Sequence, residues 1–215
     1  GMDVTYVIIV LVTILLSMTL HEAMHAFMGY FLGDDTAKAQ GRLSLNPIKH
    51  IDPIMTIALP LFLAVMGGPI FGGAKPVPFN PHKVRYGEWG AALVAIAGPL
   101  TNLLIAFVVF GVGVLSGVIT SAGVEATLAG QIVITAVSVN LGFFVFNMLP
   151  IPPLDGSRVL YALAPDPVKA GMEYIERYGI FLVFGLVLIG ASVLGQIMAG
   201  GINGTLQLFM TIFRV

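Results

Sequence analysis

From Val4 to Leu20 the chain carries no charged residue, and the run ends directly on His21-Glu22-Ala23-Met24-His25. A segment this apolar has few folds open to it. In a bilayer it must be a helix, because no water is present there to satisfy bare peptide groups. On a helix, His21 and His25 lie one turn apart on one face, where two imidazoles can hold one metal ion. Glu22, between them, can reach a water on that ion and take its proton. Ionisable groups at membrane depth are costly and mark function. The expectation is metal-assisted hydrolysis carried out within a membrane.

Composition agrees with a membrane chain. Of 215 residues, 57% are hydrophobic and 10% charged, with a mean hydropathy of +0.97; a soluble domain carries about 25% charged residues. There is no cysteine, which excludes disulfides, thiolate ligands and a cysteine nucleophile. A net charge of -1 gives no electrostatic basis for binding nucleic acid. Gly1 reads as an addition ahead of a natural start at Met2. No cleavable signal peptide is expected, since no positive region precedes the first apolar run.

Apolar stretches lie at 4–32, 52–70, 89–118, 128–149 and 178–199, with a weaker one at 202–213. They predict an all-α polytopic membrane protein of five to six transmembrane helices. The whole of 2–215 reads as one domain, with a first helix at 3–32 and further helices at 89–118, 128–149 and 178–199. Nine of the ten basic residues fall in three segments: Lys38, Arg42 and Lys49; Lys75, Lys83 and Arg85; Arg158, Lys169 and Arg177. The positive-inside rule places all three in the cytoplasm. Both flanks of 52–70 then share one side, so that stretch must dip in and return, or cross and come back in extended form through Gly67, Gly68, Gly72 and Gly73. The result is a re-entrant, β-like region over 36–86; a plain span is the alternative. The same parity puts His21, His25 and Asp155 on one side. No internal repeat or soluble domain is visible.

A catalytic zinc takes three protein ligands and keeps a position for water. His21 and His25 supply two, and the candidates for the third are His50, His82 and the acids. Asp155 stands out, because it follows the broken helix end Asn147-Met148-Leu149-Pro150-Ile151-Pro152-Pro153-Leu154 and precedes Gly156. Prolines stop a helix and glycine permits a sharp turn. The ordinary use of such an Asp is to cap a short helix running to Ala164. Beside a parallel His-Glu-x-x-His helix, the ligand reading prevails. Asn147 is a candidate to stabilise an oxyanion with its amide N–H, or else to make an interhelical hydrogen bond. His50 and His82, each flanked by basic residues, read as surface histidines, and Asn140 as structural.

Taken together, these motifs resemble the site-2 protease family of intramembrane zinc metalloproteases in its short prokaryotic form. His21-Glu22-Ala23-Met24-His25 matches its first motif, and Asn147-x-x-Pro150-x-Pro152-x-Leu154-Asp155-Gly156 its second. Gly98-Pro99-Leu100-Thr101-Asn102 resembles a Gly-Pro-x-x-Asn signature on a helix between them. The three cover residues 21 to 156, about two thirds of the chain. The resemblance implies one zinc held by His21, His25 and Asp155, with Glu22 as catalytic acid and base, in a prokaryotic cell membrane. Relatives with PDZ or CBS domains exist, and neither is expected within these 215 residues.

Substrate contacts are expected on Gly72 to Pro81, where prolines at 76, 78 and 81 force extended backbone. A peptide bond inside a helix is shielded until the helix unwinds, and an edge strand offers the unwound substrate new partners. Lys75, Pro76, Val77, Pro78 and Phe79 are the candidates, with Asn102 also carried as one, although with Gly98 permitting close helix approach it reads first as a tie between helices or a support for a ligand. A solvated proline-rich connection is the alternative. Ala39 to Pro47 is a candidate strand partner. The partners implied are a transmembrane protein substrate and the lipid bilayer, with a second copy of the chain left open. Two other functions share the motif: a metal transporter, and a membrane scaffold with a structural zinc.

Overall fold

The computed structural model describes residues 3–67, 70 and 72–215. Helix α1 runs from Val4 to Phe31, its start fixed by Asp3, whose carboxylate accepts from the amides of Thr5 and Tyr6. After a single turn, α2 (Thr36–Ala39), and a 3-10 turn at Pro47–Lys49, a wide π-type turn at Pro53–Ala58 leads into α3 (Leu59–Met66). Then come α4 (Gly87–Leu115), a two-residue hairpin of β1 (Ile119–Thr120) and β2 (Gly123–Val124), and α5 (Leu128–Asn147). The chain ends with α6 (Gly156–Leu163), α7 (Asp166–Glu176), α8 (Gly179–Ile189) and α9 (Ala191–Phe213).

Burial is inverted relative to a water-soluble bundle. Helix α1 exposes Val4, Ile8, Val12 and Leu16, and α4 exposes Leu100, Leu104, Val108 and Val112, in each case four residues apart on one face. The inward face of α4 is instead built from small residues, among them Gly90, Ala91, Ala95, Gly98 and Ala106. Helices packed in lipid gain nothing by hiding leucine, and approach one another through small residues. This is an all-α membrane protein. Among the described residues, α1, α4 and α5 are each long and apolar enough to cross a bilayer.

Among the described residues, three helices, or up to four if α8 and α9 make one bent span, are long and apolar enough to cross, against the five to six expected. The stretch 178–199 is not one helix: α8 and α9 meet at 91°. The break falls at Gly190, ten residues before the Gly200-Gly201 pair that divides the apolar pattern in the sequence. Gly201 instead sits inside α9 and lets Val145 approach, since a Cβ there would lie 2.8 Å from a Val145 methyl. The segment expected at 202–213 is therefore the second half of α9. Its last turn packs against α4, where Gly111 receives the ring of Phe213 and Phe107 and Phe110 meet Phe209.

The segment after α1 doubles back. Pro53–Met66 is too short to cross the roughly 30 Å of a bilayer core, and the Gly73 amide donates to the Met55 carbonyl at 3.0 Å. Thr56 Oγ1 donates to the Gly73 carbonyl at 2.6 Å. Gly68, one of the glycines expected to carry the return, lies outside the described residues, as does Met2. Residues 72–80 form neither helix nor strand, the prolines at 76 and 78 keeping them from helix, and among the described residues no strand pairs with them. The pairing expected from Ala39 to Pro47 is made by the Arg42 side chain, which reaches the carbonyls of Lys75 and Pro76.

The lipid-facing assignment has a direct test. On the exposed face of a soluble bundle, Leu104→Arg would be nearly neutral. Here it is expected to cost about 2.5–3.5 kcal/mol of insertion, read as the inserted fraction of the α4 segment, with Leu104→Ala close to wild type.

Candidate metal centre

Three elements bring the site together. Helix α1 presents His21 and His25 on its inward face. Beyond α5, Pro150, Pro152 and Pro153 keep the chain from continuing as helix, and Gly156 then lets it fold back onto the end of α5. A Cβ at Gly156 would lie 2.2 Å from the Met148 carbonyl oxygen, so only glycine fits. Asp155 stands at the N-terminus of α6, yet its carboxylate makes no capping bond. It points instead at α1. Asp155 Oδ2 lies 3.1 Å from His21 Nε2 and 3.4 Å from His25 Nε2, and the two Nε2 atoms are 3.0 Å apart.

The opposite ring nitrogens are already engaged. His21 Nδ1–H donates to Asn102 Oδ1 at 2.6 Å, and His25 Nδ1–H to the Val94 carbonyl at 2.7 Å. Both Nε2 lone pairs therefore face Asp155, in the tautomer a metal requires. Asn102 Nδ2 donates to Asn140 Oδ1, and Asn140 Nδ2 donates to Ser17 Oγ, each at 3.0 Å. Helix α4 comes close enough for this only because residue 98 has no side chain. A Cβ there would sit 2.4 and 2.6 Å from the two Nε2 atoms.

This triangle fits a zinc ion. Corners of a tetrahedron about 2.0–2.1 Å from its centre are about 3.3–3.4 Å apart, and the three edges here run from 3.0 to 3.4 Å. Glu22 comes within 4.8 Å of both imidazoles. Its Oε2 accepts from the Val77 amide at 3.0 Å.

Over these groups lies a cavity of about 160 Å³, walled by Glu22, His25 and Asp155 on one side and by Pro76 to Phe79 on the other. Four of the six residues expected at a substrate site, Pro76, Val77, Pro78 and Phe79, therefore face the ligand set. Lys75 and Asn102 do not line it. Asn102 is 0% exposed, its amide shared between His21 and Asn140. Nor does Asn147 reach the cavity; its Nδ2 donates to the Phe143 carbonyl one turn back on its own helix.

His50 corrects the sequence reading. Expected at the surface beside Lys49, it is 1% exposed. Its Nε2–H donates to the Ser44 carbonyl at 2.7 Å, and its Nδ1 accepts from Arg42 at 3.0 Å. Burial holds its pKa below the ordinary histidine value, which suits the neutral ring these bonds need. His82 is exposed, as expected. Arg42 and Asp34 are further buried polar residues around the site, and neither was expected to be buried. Asp34 stands beside Asp35 and Arg42 among Gln40, Gly41 and Ser44, so in sequence both look solvated.

The chain is 41% identical over 207 residues to "Putative zinc metalloprotease YwhC" of Bacillus subtilis, covering 94% of this chain and 91% of that one. The chain belongs to this zinc metalloprotease family. Rip2 of Mycolicibacterium smegmatis, under the same description, is 30% identical over 189 residues, covering 86% of this metalloprotease and 68% of Rip2. A protein of Methanocaldococcus jannaschii, MJ0611, matches at 42% over 67 residues, 31% of either chain. No protein-family model matches, and neither does any solved structure.

Asn102→Ala removes the partner that orients His21. Metal affinity is expected to fall about 10–100-fold, measured by competition against a chromophoric chelator.

Proposed function

We propose that this metalloprotease is an intramembrane endopeptidase of the site-2 protease type, cutting transmembrane segments of other membrane proteins near their cytoplasmic ends. One observation carries the reading: three ligand atoms 3.0–3.4 Å apart, two of them on a helix apolar enough to cross a bilayer. A soluble metalloprotease has no need to build its site into such a helix.

The depth of the site is set by helix geometry. At 1.5 Å per residue, His21 stands roughly 15 Å from the C-terminal end of α1, within the hydrocarbon of a roughly 30 Å core. All three basic segments gather at that end. Arg85 donates to the Leu32 carbonyl, Lys83 pairs with Asp35, and Lys169 pairs with Glu88. The positive-inside rule then makes it the cytoplasmic end of a multi-pass protein.

His21, His25 and Asp155 would hold the zinc, which would supply Lewis acidity sufficient to bring the pKa of water to roughly 7. The protein's own residues do the rest. Val77 N–H holds one oxygen of Glu22, leaving Oε1 to receive the proton of the attacking water and deliver it to the departing amine. Pro76 to Phe79 give the unwound substrate an extended partner across the cavity. Asn147 has no part in this scheme while its amide serves Phe143.

Glu22→Gln, in proteoliposomes carrying a membrane-embedded test substrate, is expected to lower cleavage about 10²–10⁴-fold with zinc content unchanged. Cleavage at the wild-type rate would remove the proteolytic assignment. Asp155→Ala is expected to lose cleavage and zinc together; zinc retained at full stoichiometry would place the third ligand elsewhere.

A further inference from the structure

Arg42 is 6% exposed, an unusual position for a guanidinium among apolar helices, and it makes bonds in three directions. One terminal nitrogen donates to the Lys75 carbonyl at 2.7 Å and to His50 Nδ1 at 3.0 Å. The other donates to the Pro76 carbonyl at 3.2 Å. His50 is itself fixed by Ser44, and its carbonyl accepts the Lys75 amide at 2.9 Å. The Arg42 side chain and the His50 backbone carbonyl thus hold consecutive peptide units of this segment.

The next peptide unit along is the one that reaches the metal centre. Pro76 and Pro78 have no N–H, so Val77 offers the single backbone donor between Lys75 and Phe79. That donor goes to Glu22 Oε2 at 3.0 Å. A carboxylate on a freely rotating side chain samples several orientations; one anchored by a fixed amide presents its second oxygen in one direction. The anchor is only as steady as the peptide that carries it. On the far side, the Asn80 amide donates to buried Asp34 at 2.9 Å, so the segment is held at both ends.

We infer that Arg42, seated by His50, is a positioning residue: it fixes Lys75 and Pro76 so that the Val77 amide sets the orientation of Glu22. The inference rests on the proposed role of Glu22 in proteolysis. A planar guanidinium can bond several carbonyls in fixed directions, whereas a lysine ammonium is a single point. Arg42 touches neither the ligand atoms nor a substrate, and acts through the segment alone.

The test reads the coupling between Val77 and Glu22 as well as activity. With 13C-carbonyl proline and 15N-valine, the amides visible in a carbonyl-selected spectrum are those of valines after proline, Val77 and the exposed Val168. In the zinc-loaded, full-length protein, Glu22→Gln is expected to move the Val77 signal and leave Val168 in place. In an Arg42→Gln background, the same change is expected to leave Val77 unmoved. Arg42→Gln alone is expected to lower kcat about 10²-fold, with KM and zinc content little altered. Arg42→Lys should recover part of kcat, and it serves as the reporting background if Arg42→Gln does not fold. A Val77 signal that still responds to Glu22→Gln without Arg42 overturns the inference, and so does an unchanged kcat. The spectrum needs no substrate, so it fails or succeeds independently of whether the protein is a protease.

Discussion

Two imidazoles and a carboxylate within 3.4 Å of one another, inside a bundle whose outer surface is leucine and valine, set the terms for everything around them. In hydrocarbon an unpaired polar atom has no water to turn to. Each imidazole nitrogen that does not face the ligand triangle must therefore be bonded by protein, and each is. His25 takes the Val94 carbonyl; His21 begins a chain through Asn102 and Asn140 to Ser17. Interhelical hydrogen bonds in membranes average only about 0.6 kcal/mol, so this chain contributes little to stability for three buried polar residues. Its effect is orientation. It fixes which nitrogen of His21 is free, and ties α1, α4 and α5 together at the level of the site.

The same demand shapes the backbone. Helix α4 approaches the histidines through Gly98, where a Cβ would occupy the space beside both Nε2 atoms. Gly156 folds the turn after α5 back on itself and delivers Asp155. Neither glycine is merely flexible; each is where two pieces of main chain or ring come too close for any side chain. The extended segment 72–80 completes the enclosure. Its prolines leave one amide to offer, and that amide meets Glu22.

Much of this was legible in the sequence. Paired histidines four apart on an apolar run fix a helix face, and an Asp trapped between prolines and a glycine has few purposes. The bounds of α1, α4 and α5 fall within a few residues of the apolar stretches, because hydropathy measures what lipid demands. Other features were hidden for physical reasons. A bend at Gly190 leaves hydropathy unchanged, so α8 and α9 read as one span with a weak tail. Arg42 and His50 have charged or polar neighbours in sequence, and nothing local shows that Arg42 bonds carbonyls more than thirty residues away. Asn102 and Asn147 look alike as polar residues in apolar helices. One supports a histidine and the other bonds back to its own helix.

The central claim is that residues 134 positions apart form one coordination shell. X-ray absorption at the zinc edge, on the metal-loaded protein in bilayers, addresses it most directly. The expected spectrum shows nitrogen and oxygen neighbours at about 2.0–2.1 Å, with outer-shell scattering from two imidazoles, and a first shell that changes in Asp155→Asn. Scattering from fewer than two imidazoles, or an Asp155→Asn spectrum identical to the parent, would contradict it.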